Sequence, residues 1–124
     1  MIVQIDTSAL IDALTGPRRS LAKLTALVDD GHRIAISTLV LFEWLRGPRV
    51  RAEIAAQEAL LPGEGAAPFS AVEAGLAAGL YRTLSRPRGR EIDLAIAACA
   101  LAHGAALWTL NPVDFQDIPG LRLV

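Results

Sequence analysis

A single cysteine cannot build a disulfide framework. Cys99 stands among alanines, where a thiol behaves as a small buried hydrophobe. That scarcity fits a reducing compartment, and a cytoplasmic protein is expected. Charge is equally scarce in sum. Twelve basic and 13 acidic residues leave a formal net charge of -1, so no global basic field draws nucleic acid, and any such binding must come from a local patch. The longest apolar run, Leu94 to Ala102, falls far short of the roughly 20 residues a membrane span needs. The opening MIVQID has neither a basic segment nor a long apolar one, so no signal peptide is expected. Also missing are a GxSxG motif, a supported Cys/His pair, any internal repeat and any linker. His32 and His103 each stand beside a glycine in helix-ending turns, where capping is their expected role rather than metal binding.

What remains is a chain of 124 residues that is 52% hydrophobic, enough for one domain (1–124) with a real core. Short apolar runs alternate with helical patterns. Ile2 to Ile5 reads as a buried strand ending in Asp6, and Thr7 and Ser8 offer N-caps for a helix to about Leu14. After Gly16-Pro17, Ser20 can cap a helix carrying Leu21, Leu24, Leu27 and Val28. Arg33 to Ser37 is a second strand, followed by a helix over Thr38 to Arg46 that is apolar almost throughout except for Glu43. Helices follow over about 49–61 and 70–85, then a basic connector, Arg86-Pro87-Arg88-Gly89-Arg90. Asp93 opens the next helix, His103-Gly104 ends it, Ala106 to Leu110 is a short strand, and Leu121 to Val124 a closing one. This alternation predicts a parallel α/β sheet with helices on both faces. Right-handed crossovers then put every strand's carboxyl end on one edge, where ligands bind in such folds.

Four acids fall toward that edge: Asp6 after the first strand, Glu43 about one and a half turns into the helix after the second, Asp93 in a helical first turn, and Asp114 in the turn after Leu110. Each has an ordinary reading taken alone. Asp6 suits a cap or turn, Glu43 an ion pair with Arg46, Asp93 a helix dipole, and Asp114 a turn through Asp117. Together they repel unless a positive group lies between them, and no lysine stands in these segments to do it. Magnesium or manganese would, because hard cations take oxygen ligands, and such clusters serve phosphodiester hydrolysis.

The blocks VQIDTSALID, ISTLVLFEWLRG, EIDLAIAACALAHGAALWTLNPVDF and IPGLRLV, in that order, make the chain resemble PIN-domain proteins, and within them the VapC-type toxins of toxin–antitoxin pairs. The resemblance spans the whole length. It implies an α/β/α sandwich with a central parallel sheet of four to five short strands. It implies a Mg2+- or Mn2+-dependent endoribonuclease that leaves a 5′-phosphate, acting on RNA such as tRNA or rRNA. Its acidic quartet maps onto Asp6, Glu43, Asp93 and Asp114, which would be at once catalytic and metal-holding, with Asp117 a weaker candidate for the fourth place. Ser8, Thr109 and Asn111 would be the small polar partners of those acids. Asp12 lies a helical turn beyond Ser8 and is expected to stay out. The resemblance also implies a homodimer and a cognate VapB-type antitoxin that inserts a segment near the acids.

Two readings compete. One is a PIN-like scaffold that binds RNA or protein with little cleavage. The other is a small phosphatase, suggested by Asp6-Thr7-Ser8 but weakened because that pattern wants a second aspartate where Ser8 stands. The complete acidic set favours the nuclease. Two arginine groups, Arg46/Arg49/Arg51 and Arg82/Arg86/Arg88/Arg90, flank the acid-bearing segments and are candidates for RNA phosphates, solvated surface being their ordinary reading. Trp44 and Trp108 are expected in the core.

Overall fold

The computed structural model describes residues 1–124. Its centre is strand β1 (Ile2–Ile5), paired in parallel with β2 (Arg33–Ala35) on one side and β3 (Ala106–Trp108) on the other, in the order β2-β1-β3. Val3 lies opposite Ile34 and Ala106, and Ile5 opposite Trp108. Side chains alternate across a strand, so Val3 and Ile5 share one face while Gln4 takes the other. All three are buried, which means that both faces of the sheet are covered. A parallel sheet read as continuous apolar runs behaves this way.

Six helices supply the cover: α1 (Thr7–Leu14), α2 (Leu21–Asp29), α3 (Thr38–Arg46), α4 (Arg51–Leu60), α5 (Ala71–Thr83) and α6 (Glu91–Ala102). Helix α6 is the most deeply placed. Every residue from Leu94 to Ala100 is buried, between α5, α3 and β3. A helix apolar all round must be interior, and its alanines let neighbours approach closely. Trp44 and Trp108 are fully buried beside Ile5, Leu10, Leu94 and Phe115, as the core reading expects. No helix is long and apolar enough to cross a membrane.

Three corrections follow. The sheet has three strands, not four to five. On the β3 edge the closing segment makes one parallel bridge, Leu107 to Leu123, and on the β2 edge Ser37 bridges Ala67. Pro119 and Gly120 turn the chain in just before Leu121, leaving too few residues to pair for a full ladder. Second, neither Thr7 nor Ser8 caps α1. Asp6 occupies that place without a side-chain cap, and both hydroxyls are directed to other partners. Third, Ser20 stands at the expected N-cap position of α2 but does not cap it with its side chain. Its hydroxyl donates to Asp12 instead, at 2.6 Å, and ties the corner between α1 and α2. Ser37, by contrast, caps α3 as expected by accepting from the Val40 N–H at 3.2 Å.

Candidate active site

The carboxyl end of β1 delivers Asp6. Its main-chain N–H donates to the Trp108 carbonyl at 2.8 Å, which continues the β1–β3 pairing and brings Thr109 alongside. The Thr109 hydroxyl donates to Asp6 Oδ2 at 2.7 Å and the Ser8 hydroxyl donates to the same oxygen at 3.1 Å. Each hydroxyl is itself held: Ser8 Oγ accepts from the Leu110 N–H at 3.0 Å, and Thr109 Oγ1 from the Asn111 N–H at 3.0 Å. Asn111 thus enters through its backbone. Burial pushes the Asp6 carboxyl above its ordinary pKa, and the bonds from Thr109, the Thr7 backbone and Ser8 act against that rise, while the Glu43 charge adds to it.

Helix α3 presents Glu43. The Thr7 hydroxyl donates to Glu43 Oε1 at 2.5 Å, and Arg46 reaches Oε2 at 3.4 Å. The ordinary ion-pair reading of Glu43 is therefore realised. However, the Arg46 side chain is 60% exposed, and such a pair contributes about 0.2–1 kcal/mol or less. The shorter tether is Thr7, which couples the start of α1 to the middle of α3.

Asp93 lies in the first turn of α6, half-buried. Its carboxyl is raised from 3.8 to about 6, first by burial and then by the charges of Asp6, Asp114 and Glu43, with Arg90 opposing. The charges of the other three acids of the quartet thus all reach Asp93, and that of Glu43 also reaches Asp6. Asp114 reaches it from the 3-10 turn Pro112–Asp114 and is exposed.

Asp117 is placed differently. Arg90 grips its carboxylate with two bonds, of 2.6 and 2.9 Å, and holds it below the usual carboxylate range. The same guanidinium donates to the main-chain carbonyl of Asp114 at 2.9 Å and to that of Arg86 at 3.2 Å. Arg90 therefore fastens the Asp114 turn to the entrance of α6. Asp12 stays out, tied to Ser20 and to Arg19 at 3.4 Å. The histidines lie elsewhere: His103 Nδ1 is 2.6 Å from the Cys99 carbonyl at the end of α6, and His32 Nδ1 is 3.3 Å from the chain's amino group.

Two residues of this site carry no signal in the sequence beyond their position. Thr7 reads as a cap until α3 is laid over α1. Arg90 reads as one of a basic run until its bonds to Asp114 and Asp117 are seen. As the side chains stand, no three of them are gathered tightly enough to enclose an ion. The donor set nevertheless has the chemistry of a hard divalent cation: only carboxylate and hydroxyl oxygens, mutually repelling acids and no ammonium among them. Mg2+ keeps several waters and needs only one or two direct carboxylates, so a tight protein cage is not required.

Comparison with known proteins shows the family and the fold. The sequence model of the PIN domain matches residues 3–121. Ribonuclease VapC19 of Mycobacterium tuberculosis is 35% identical over 129 aligned positions covering 95% of each chain. Among solved structures, VapBC2 from Rickettsia felis bound to a promoter DNA fragment superposes with a TM-score of 0.75, at 26% identity, over 100% of this chain and 98% of that one. A toxin–antitoxin complex from Klebsiella pneumoniae does so with a TM-score of 0.75, at 27% identity, over 98% and 95% of the two chains.

Proposed function

This chain belongs to the PIN-domain family, and from that premise we propose that it is a Mg2+- or Mn2+-dependent endoribonuclease toxin whose catalytic acids are Asp6, Glu43, Asp93 and Asp114. The observation that carries the reading is the convergence of three carboxylate charges on Asp93, a half-buried acid whose carboxyl is raised to about 6 by burial and by those charges. Asp6, Asp93 and Asp114 would hold the ion, with Glu43 reaching it directly or through a water. When bound, the ion supplies Lewis acidity, lowering the pKa of a water and offsetting charge on the phosphodiester.

The chain's own residues do the rest. Ser8 and Thr109 hold one Asp6 oxygen, so the other is presented in a fixed direction. Thr7 aims Glu43 in the same way. An ionised acid beside an attacking water accepts its proton as the water adds in line to phosphorus. The RNA chain then leaves through its 3′-oxygen, and the product keeps a 5′-phosphate.

As partners we propose a cognate VapB-type antitoxin, on the strength of the toxin–antitoxin complexes that share the fold, together with a homodimer. The substrate is RNA, with tRNA or rRNA as the first to try. The test is cleavage of total cellular RNA by purified, antitoxin-free protein in Mg2+, in Mn2+ and in EDTA, beside Asp6→Asn and Asp93→Asn. Discrete fragments that need metal and vanish in both variants support the reading. Intact individual tRNAs and rRNA in every lane, with RNA or protein binding retained, would move the assignment to a binding scaffold.

A further inference from the structure

Beside Asp114 runs an open groove of about 410 Å³ between the end of α5 and the turn that carries this acid. All but one of its lining residues are polar or charged: Ser85, Arg86, Arg90, Asp114, Gln116 and Asp117, beside Val113. The two arginines differ sharply in what they are free to do. Arg90 is spent on Asp117 and on the carbonyls of Asp114 and Arg86, with a side chain only 20% exposed. The Arg86 side chain is exposed and forms neither an ion pair nor a hydrogen bond within the chain. Its own carbonyl, held by Arg90 at 3.2 Å, anchors the backbone from which it projects.

A groove that shares Asp114 with the proposed catalytic acids should repel a polyanion. This one sets an unpaired guanidinium and two neutral polar side chains, Ser85 and Gln116, next to the acids, while Arg90 neutralises Asp117, the second wall carboxylate. Guanidinium matches phosphate oxygens in a fork, and the hydroxyl and amide add donors without further charge. We propose that this groove seats the backbone phosphate of a nucleotide flanking the scissile bond, with Arg86 as the contacting cation and Ser85 and Gln116 as its neutral donors. Arg90 is there a positioning residue: it silences Asp117 and holds the wall in place. The assignment rests on the nuclease reading above and gives that site a direction, since the RNA strand leaves the acids past Asp114 toward the end of α5.

The experiment measures binding apart from cleavage. Fluorescein-labelled single-stranded RNA of mixed sequence is titrated with Asp93→Asn protein by anisotropy over a series of KCl concentrations. The comparison proteins carry, in addition, Arg86→Gln or Arg33→Gln. Arg33 is exposed at the start of β2, at the opposite edge of the sheet, so its variant changes net charge equally without touching the groove. The proposal expects Arg86→Gln to weaken binding roughly tenfold, the loss of about one charge-assisted bond, and to flatten the log–log salt slope by about 0.7, as one lost phosphate contact does on single strands. Arg33→Gln should leave both nearly unchanged. An unchanged affinity and slope for Arg86→Gln, or equal losses for the two variants, would overturn it. So would absence of RNA binding by the Asp93→Asn parent; metal-dependent cleavage by the wild-type protein, run in parallel, then shows whether the nuclease reading stands without the subsite.

Discussion

Replacing Asp93 by asparagine should abolish cleavage and yet stabilise the metal-free protein. The Asp93 carboxyl is lifted from 3.8 to about 6 on folding. A raised acid pKa means that the native state binds the proton more tightly than the unfolded chain does. The stabilisation from this group is therefore full below 3.8 and is lost as pH rises through about 6; above that, the native state carries a charge it disfavours. The gap is about two pH units at about 1.36 kcal/mol each, giving an upper limit of about 3 kcal/mol. Asp93 is only half-buried, and solvent screening reduces this to about 1 kcal/mol. Asparagine has nearly the same shape and no charge. Near pH 8 in EDTA, Asp93→Asn should raise the melting temperature by about 3–5 °C for a domain of this size. Near pH 4 the wild-type carboxyl is largely protonated in the folded protein and the difference should shrink toward zero. Circular-dichroism melts of both proteins at the two pH values provide the assay. Excess Mg2+ should then reverse the order near pH 8, because the ion stabilises the wild type more than the variant. If Asp93→Asn melted below the wild type at both pH values, or if the gap did not change with pH, the electrostatic coupling of the four acids would be refuted.

Asp114→Asn should lower metal-dependent cleavage by about a hundredfold or more and Asp117→Asn by less than about tenfold in the same gel assay, because Asp117 is already neutralised by Arg90 while Asp114 acts on Asp93. Thr109→Val removes the 2.7 Å donor to Asp6. Mg2+ affinity measured by calorimetry should fall about 10- to 100-fold with the secondary structure intact, and an unaltered affinity would show that Asp6 is oriented by Ser8 and the backbone alone. Arg90→Gln should cost about 1 kcal/mol of stability in urea unfolding and lower kcat more than it raises KM, since the lost bonds position the Asp114 turn; a change confined to KM would make Arg90 a substrate contact instead.

The parallel α/β class was legible because it rests on local chemistry. Apolar runs bounded by turn residues form strands, and recurring leucines form helices, whatever their neighbours do. The central place of α6 could be read from Leu94 to Ala102, which no solvent-facing helix would tolerate. The strand count was not legible. Whether Leu121–Val124 becomes a strand or a single bridge depends on how much of β3 remains free to pair, which is a property of the assembled edge. Three of the expected side-chain caps failed for a related reason. Thr7, Ser8 and Ser20 all have the side chains of good N-caps, but Glu43, Asp6 and Asp12 offer them charged acceptors that local sequence does not reveal.

The amino-acid sequence by itself determined which residue types reach the carboxyl edge of the sheet. Asp6 follows a strand, Asp93 begins a helix, and no lysine stands among the acids; these are consequences of order along the chain. Tertiary structure alone decided how the acids differ. It set one Asp6 oxygen against two hydroxyls, joined Glu43 to Thr7 across two helices, raised Asp93 by burial and by its neighbours' charges, and assigned Asp117 to Arg90 instead of to the cluster. The physical reason is that hydrogen bonds and Coulomb forces act over a few ångströms in space, and residues that far apart in the chain become neighbours only when the sheet and its helices close around them.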